Sequence, residues 1–304
     1  MRAERWQPSG ATWGDHILLQ GIVVLWGVTA ILGKLITLEP MPLVAWRTGL
    51  STLALSALLL WQKDRTPLPA RLVWAALGNG LLIGLHWYLF FLAGRLGNVS
   101  TSLAGIATAT LWVALLEPLL IRGRRLEWSE CILSLVVVGG VIMVAGNPDV
   151  NLPSLLTSVT AAGVAALFTV INSRLIRVMP PLPATTLELA AATVFAAVMA
   201  SLLLPVNEAT SIPTGWNWLW IGTLAIVCTA FAFTACVSLQ RRVPAFTIGL
   251  AGNLEPVYGM LLALLIFGGS EAMSLRFYAG SAIIIGCVVM HALMPWLKRR
   301  WIKF

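Results

Sequence analysis

Between residues 17 and 296 the chain runs again and again for about twenty residues with almost no charge, and each run ends at charged residues, proline or glycine. Twenty helical residues rise about 30 Å, the thickness of a bilayer's hydrocarbon core. Ten such runs are legible, at 17–38, 40–61, 72–94, 99–120, 130–146, 153–178, 183–204, 216–239, 243–266 and 274–296. In hydrocarbon every backbone N–H and C=O must be satisfied within the protein, which leaves helices and closed barrels. Barrel strands alternate in polarity over about ten residues, whereas these runs are continuously apolar. Composition agrees: 59% of residues are hydrophobic and 11% charged, against about 25% charged in a soluble domain. The expected fold is an all-α membrane protein of ten transmembrane helices, with no room for a separate soluble domain.

Charge placement orients the spans, because Lys and Arg concentrate in short cytoplasmic loops. With the N-terminus inside, Arg2, Arg5, Lys63, Arg65, Arg71, Arg122, Arg124, Arg125, Arg174, Arg177, Arg241, Arg242, Lys298, Arg299, Arg300 and Lys303 all fall in the cytoplasm. Arg95 and Arg276 fall outside, and Lys34 and Arg47 fall within spans. Residues 1–16 and 297–304 are then cytoplasmic ends, and the expected location is the cell (inner) membrane with both termini cytoplasmic. Residues 1–16 lack a signal-peptide pattern, so the first span is expected to stay uncleaved. The net charge of +8 suits an anionic lipid surface, and nucleic-acid binding is not needed to explain it. Trp61, Trp74, Trp216, Trp218, Trp220 and Trp296 sit near span ends as interfacial anchors. Trp26, Trp46, Trp87 and Trp112 lie deeper.

The four cysteines, Cys131, Cys228, Cys236 and Cys287, lie in apolar runs without ligand-like spacing and read as packed side chains, so no metal and no cofactor is expected. An internal repeat is visible. Sliding the second half back by 147 residues sets Leu126 on Met273, Ser134 on Ser281, Gly139 on Gly286 and Val141 on Val288. An offset of 140 pairs Lys34-Leu-Ile36 with Arg174-Leu-Ile176. Five spans per unit is odd, so tandem units insert with opposite orientation. The expected organisation is two inverted five-helix repeats, 17–148 and 149–296.

Leu25-Trp-Gly27, Pro42-Leu-Val-Ala-Trp-Arg47, Asn253-Leu-Glu-Pro-Val257, the Gly269-Ser-Glu271 loop and the glycine-containing last span resemble the drug/metabolite transporter superfamily in its EamA-type, ten-helix branch. The resemblance covers essentially the whole chain. It implies transport of a small organic solute, weighted toward export, and an arginine in span 2 with a structural or gating role shared across substrates. The sequence departs from a symmetric pattern in span 4. Ala109 stands where the repeat would place a counterpart of Pro256, and Glu117-Pro118 lies nearer the cytoplasm.

Polar groups deep in a bilayer are costly and mark candidate sites. Glu255, midway along span 9 beside Pro256, reads as a proton-coupling or substrate-amine site, or as a structural carboxyl. His86 and Asn79, seven residues apart in span 3, share a helical face that reads as a cavity wall, with His86 either a proton relay or an interhelical hydrogen-bonder. Trp87 and Tyr88 offer aromatic walls or packing. Arg47 is too deep to snorkel easily and calls for a carboxylate partner or an anionic solute group, whereas Lys34 can reach the outer interface. Thr101, Thr108 and Trp112 form a stripe with Gly105, Asn172 and Asn253 can bond across helices, and Trp26 and Tyr258 complete the candidate set. Glu117 and Glu188, near cytoplasmic ends, are expected to reach the interface or pair with Arg122, Arg124 or Arg177.

No G-x-x-x-x-G-K-[ST] element is present. An intramembrane enzyme would need a nucleophile with a base, an H-E-x-x-H cluster or paired acids, and a channel would need rings of like charge or filter loops. An intramembrane enzyme and a channel-like or facilitative permease are the alternatives. The sequence therefore points to a secondary transporter of small amphipathic metabolites such as amino acids, working by alternating access, with proton coupling as a candidate driving force.

Overall fold

The computed structural model describes residues 11–62, 67–97, 105–145, 151–255, 257–259, 261–262 and 275–301, and the side chains of 30, 34, 144, 145, 277 and 292–301 are not among what it describes. Arg2, Arg5, Lys63, Arg65, Thr101, Pro256, Gly269 to Glu271 and Lys303, and the side chains of Lys34, Trp296, Lys298, Arg299 and Arg300, lie outside it. Among the described residues there is no strand. The helices are α1 (Trp13–Leu35), α2 (Pro40–Gln62), α3 (Ala70–Leu96), α4 (Ala109–Leu120), α5 (Trp128–Ala145), α6 (Leu152–Leu175), α7 (Pro181–Leu203), the single turn α8 (Val206–Ala209), α9 (Asn217–Ala225), a π-helical stretch (Ile226–Phe231), α10 (Ala232–Leu239), α11 (Ala245–Gly252) and α12 (Leu275–Trp301). Six spans, one of them α9 to α10 taken together as Asn217–Leu239, are long and apolar enough to cross a membrane, and α4, α5 and α12 contain shorter apolar helices.

Local chemistry sets several helix starts. Thr12 and Asp15 form a reciprocal capping box at α1, and the Asn151 side chain accepts from Ser154 N–H at 3.0 Å at α6; each satisfies N–H groups that the first helical turn leaves unpaired. Prolines occupy the cap position before α3, α7, α8 and α11. Gly123 and Gly215, with φ of 85° and 51°, turn the chain where a side chain would be strained.

Two spans read as continuous from the sequence are broken. Span 4 is helical at Gly105 and Ile106, turns at Ala107 and Thr108, and resumes as α4; span 9 leaves α11 at Gly252, turns at Asn253 and Leu254, and resumes at Glu255. Tight i to i+3 bonds mark both turns, Thr108 N–H to Gly105 C=O at 3.1 Å and Asn253 N–H to Leu250 C=O at 3.2 Å. The breaks occupy corresponding places in the two halves, although only one of them adjoins a proline.

The packing obeys the repeat. α3 lies along α6 and α7, and α2 lies along α7, α9 and the π stretch; α1 lies along α10 and α11, and α4 along α5, α6 and α11. Exchanging each first-half helix for its second-half counterpart (α1 with α6, α2 with α7, α3 with Asn217–Leu239, α4 with α11, α5 with α12) leaves that pattern unchanged. The pairs α2–α7, α4–α11 and α5–α12 map onto themselves. Small residues permit the closest approaches: a Cβ on Gly27 would stand 2.9 Å from the Gly259 backbone N, and one on Gly140 would stand 3.1 Å from the Gly280 carbonyl.

The two ends of the bundle differ. At one, Arg242 Nη2 and Nε donate to Asp15 Oδ1 at 2.7 and 2.9 Å, and Arg241 donates to the Ile176 and Met179 carbonyls. Arg124 there bridges Glu117 and Glu130, each at 2.8 Å. Burial alone would lower the Arg124 guanidinium pKa, but the Glu117, Glu130 and Glu127 carboxylates outweigh that and raise it above the ordinary value. At the other end Arg95 donates to the Ile36 and Leu38 carbonyls, Asn151 to the Leu96 carbonyl, Thr37 N–H to Asn217 Oδ1, and Trp46 Nε1 to the Ser211 carbonyl. Trp61, Trp74 and Trp216 are exposed, as anchors require.

Candidate functional site

A cavity of about 160 Å³ lies where the halves meet, lined from α1, α2, α3, α4, α6, α10, α11 and residues beside both helix breaks. Its walls are aromatic, with Trp26, Trp87, Phe90, Phe168 and Phe233, and its polar groups are few: Thr29, Arg47, His86, Thr169, Gln240, Asn253 and Glu255. This volume is smaller than the ~300–1,000 Å³ of pockets that take drug-sized ligands, which fits a small metabolite.

Arg47 is 2% exposed and held on two sides. Its Nε donates to Thr229 Oγ1 at 2.6 Å, and its guanidinium carbon stands 4.2 Å from the centre of the Trp87 ring. Thr229 sits in the π stretch and donates to the Leu224 carbonyl five residues back at 2.7 Å, so one hydroxyl serves both the helix distortion and the arginine. Ser51, one turn further along α2 than Arg47, donates to the Ala225 carbonyl; Arg47, reaching Thr229 instead, therefore extends lengthwise toward the middle of the bundle. Its Nη1 is buried without a hydrogen-bond partner.

Glu255 follows the span 9 break and faces the same cavity as Arg47. Among the described residues its carboxylate accepts no hydrogen bond. The Gly27 contact extends to this turn, since a Cβ there would lie 3.3 Å from the Glu255 carbonyl. Asn253 donates to Thr110 Oγ1 at 3.1 Å, which ties the span 9 break to α4 just after the span 4 break. Gln240, 3% exposed, lines the cavity next to Arg241 and Arg242, and its Oε1 has no partner.

His86 places Nδ1 2.9 Å from the Ala161 carbonyl. A carbonyl only accepts, so Nδ1 carries the proton and Nε2 of the neutral ring is an acceptor. Phe168 meets the ring edge-on with centroids 5.5 Å apart.

Six of the sequence candidates, Trp26, Arg47, His86, Trp87, Asn253 and Glu255, come together around this cavity. Four do not line it. Tyr258 donates to Gln20 Oε1 at 2.8 Å, Tyr88 packs against the α2–α3–α7 core, and Trp112 is 39% exposed and lies over Gly163. Asn79 is turned away toward Glu188, with Nδ2 to Oε1 at 2.9 Å. Glu188 corrects a second expectation: it reaches no interface, is fully buried, and both of its oxygens accept from amides, those of Asn79 and Asn172. Glu117 does pair with Arg124. Gln240, Thr169, Phe90, Phe168 and Phe233 escaped the sequence reading. Phe90 lies one turn after His86 and was open to discovery; Gln240, beside two arginines, reads as a span end.

The model of the EamA-like transporter family matches residues 14–146 and again 152–292, one copy on each five-helix half. The chain belongs to the EamA-like transporter family. It is thus a multi-pass membrane transporter. No curated protein matches it. A crystal structure superposes with a TM-score of 0.76 over 93% of this chain and 98% of its own, at 18% identity; at that identity the likeness concerns the fold alone.

Proposed function

We propose that this EamA-like transporter exports small zwitterionic metabolites, amino acids or close relatives, by alternating access across the cell membrane, with both termini in the cytoplasm. The observation that carries this reading is one aromatic cavity holding a buried guanidinium with an unpartnered Nη1 and a carboxylate that accepts no bond among the described residues. A solute carboxylate satisfies Arg47 and a solute ammonium satisfies Glu255, and both gains are large away from water. When no amine is bound, a proton on Glu255 removes the same charge, so amine and proton compete for one carboxylate and flux can couple to a proton gradient. Support for the direction comes from Gln240, which extends the lining toward the arginine-rich end, the end that basic loops mark as cytoplasmic.

The test is thermal stabilisation of the purified transporter against a metabolite library, followed by flux in proteoliposomes. Zwitterions should raise the apparent stability of the wild type and lose that effect in Arg47→Met and Glu255→Gln. Stabilisation by uncharged solutes alone would overturn the substrate class. Undiminished pH-driven flux in Glu255→Gln would overturn its coupling role.

A further inference from the structure

Away from the cavity, α3, α6 and α7 meet around a polar cluster that the transport reading leaves unused. Glu188 on α7, Asn172 on α6 and Asn79 on α3 are 0%, 0% and 2% exposed. Asn79 Nδ2 donates to Glu188 Oε1 at 2.9 Å and Asn172 Nδ2 to Oε2 at 3.4 Å, and the Oδ1 atoms of both asparagines are buried without partners. A carboxylate here has two neutral donors and no cation, while two acceptors around it lack a hydrogen. One hydrogen bound to the cluster neutralises the carboxylate and supplies a donor to one of the two acceptors.

We propose that Glu188 is a proton-binding site, separate from the central cavity and shared between the two halves of the transporter. With the proton on one carboxyl oxygen, turning over the amide that faces it presents Oδ1 to the new O–H, while the second carboxyl oxygen goes on accepting an N–H from the other asparagine. The loaded cluster is neutral, as an apolar interior demands.

The charged and titratable groups on the surrounding elements point elsewhere. On α3, Arg71 is exposed, His86 is held by the Ala161 carbonyl, and Arg95 at the far end donates to the Ile36 and Leu38 carbonyls. Arg174 at the end of α6 is exposed, and Arg177 donates to the Ser173 carbonyl. Arg47 on α2 is engaged with Thr229 and Trp87, and Arg241 beyond α10 is spent on the Ile176 and Met179 carbonyls. Glu208, past the far end of α7, is exposed.

The cluster spans the boundary between repeats, with Asn79 in the first and Asn172 and Glu188 in the second. The backbones touch there too: a Cβ on Gly80 would run into the Glu188 carbonyl and stand 2.8 Å from Ala191 Cβ. Loading and unloading therefore act on the contact that must shift when the halves rock, whichever solute the cavity holds.

Infrared difference spectroscopy of the full chain in lipid, stepped in pH, reads the protonated carboxyl directly. The pH-dependent, deuterium-sensitive carboxyl band that survives in Glu255→Gln should be present in the wild type, lost in Glu188→Gln, and unmoved by sodium. Asn172→Ala, which keeps the carboxyl, should shift that band, and it decides the matter if Glu188→Gln does not fold. A band unaffected by either Glu188→Gln or Asn172→Ala overturns the proposal. So does a carboxyl signal constant at every pH, or one displaced by sodium. The Glu255→Gln spectrum keeps failure of this site distinct from failure of the cavity reading.

Discussion

Arg47 is a charge that hydrocarbon would reject by ~2.5–3.5 kcal/mol at a helix centre. A desolvated guanidinium over an indole returns about 2 kcal/mol, and a hydrogen bond to a charged group ~1.5–3 kcal/mol, so Trp87 and Thr229 suffice to hold it there with Nη1 still free. Arg47→Lys retains the charge but loses the flat fork; the expected result is at least tenfold weaker solute binding, read as a reduced ligand-induced thermal shift. Thr229→Val removes the acceptor for Nε and the side-chain bond of the π turn, and should weaken binding in the same direction with the charge untouched. Glu255, Arg47 and His86 were legible in the sequence because an ionisable residue in mid-span has few excuses. Asn79 was misplaced for a geometric reason. Its seven-residue spacing from His86 does fix a common face, but α3 packs against both α6 and α7, so one stripe can face protein at one level and the cavity at another. Thr229 and Thr169 carried no signal, since threonines are unremarkable in apolar helices.

Among the elements, the two broken spans and the π stretch set the cavity's shape, and they differ in how visible they were. Pro256 announces an interruption near Asn253. Nothing in the sequence announces the one at Ala107 and Thr108, which arises where α4 meets α11 and where Thr110 takes the Asn253 bond. Gly27 serves the same region by letting α1 touch the segment after the second break. Gly27→Ala puts a methyl against backbone, which cannot yield as a side chain can, and should destabilise the transporter by ~1–3 kcal/mol and cut flux. Gly286→Ala, with nothing within 4 Å of its new carbon, should leave thermal stability within about 0.5 kcal/mol. Comparing the two melting curves separates the tight crossing from a general intolerance of alanine.

For the whole molecule, span number, repeat and family were all legible because hydrocarbon leaves so few ways to satisfy a backbone, and because charge and the odd count of spans per repeat agree. The orientation can be checked on single cysteines. The native thiols are buried, so background labelling should be low; Thr214→Cys, exposed at the end that carries Arg95, should react with an impermeant reagent applied to intact cells. Arg125→Cys, exposed at the arginine-rich end, should react only after permeabilisation. The reverse result would turn the topology over. The packing pattern that survives exchange of the halves carries one more consequence. The halves share a plan, but the bonds at the two ends of the bundle differ, with Asp15 gripping Arg242 at one and Asn217 and Trp46 bonding across the other. Because the packing pattern survives that exchange, the alternating access proposed above can reach its opposite-facing state by trading the roles of the two halves without inventing new helix partners.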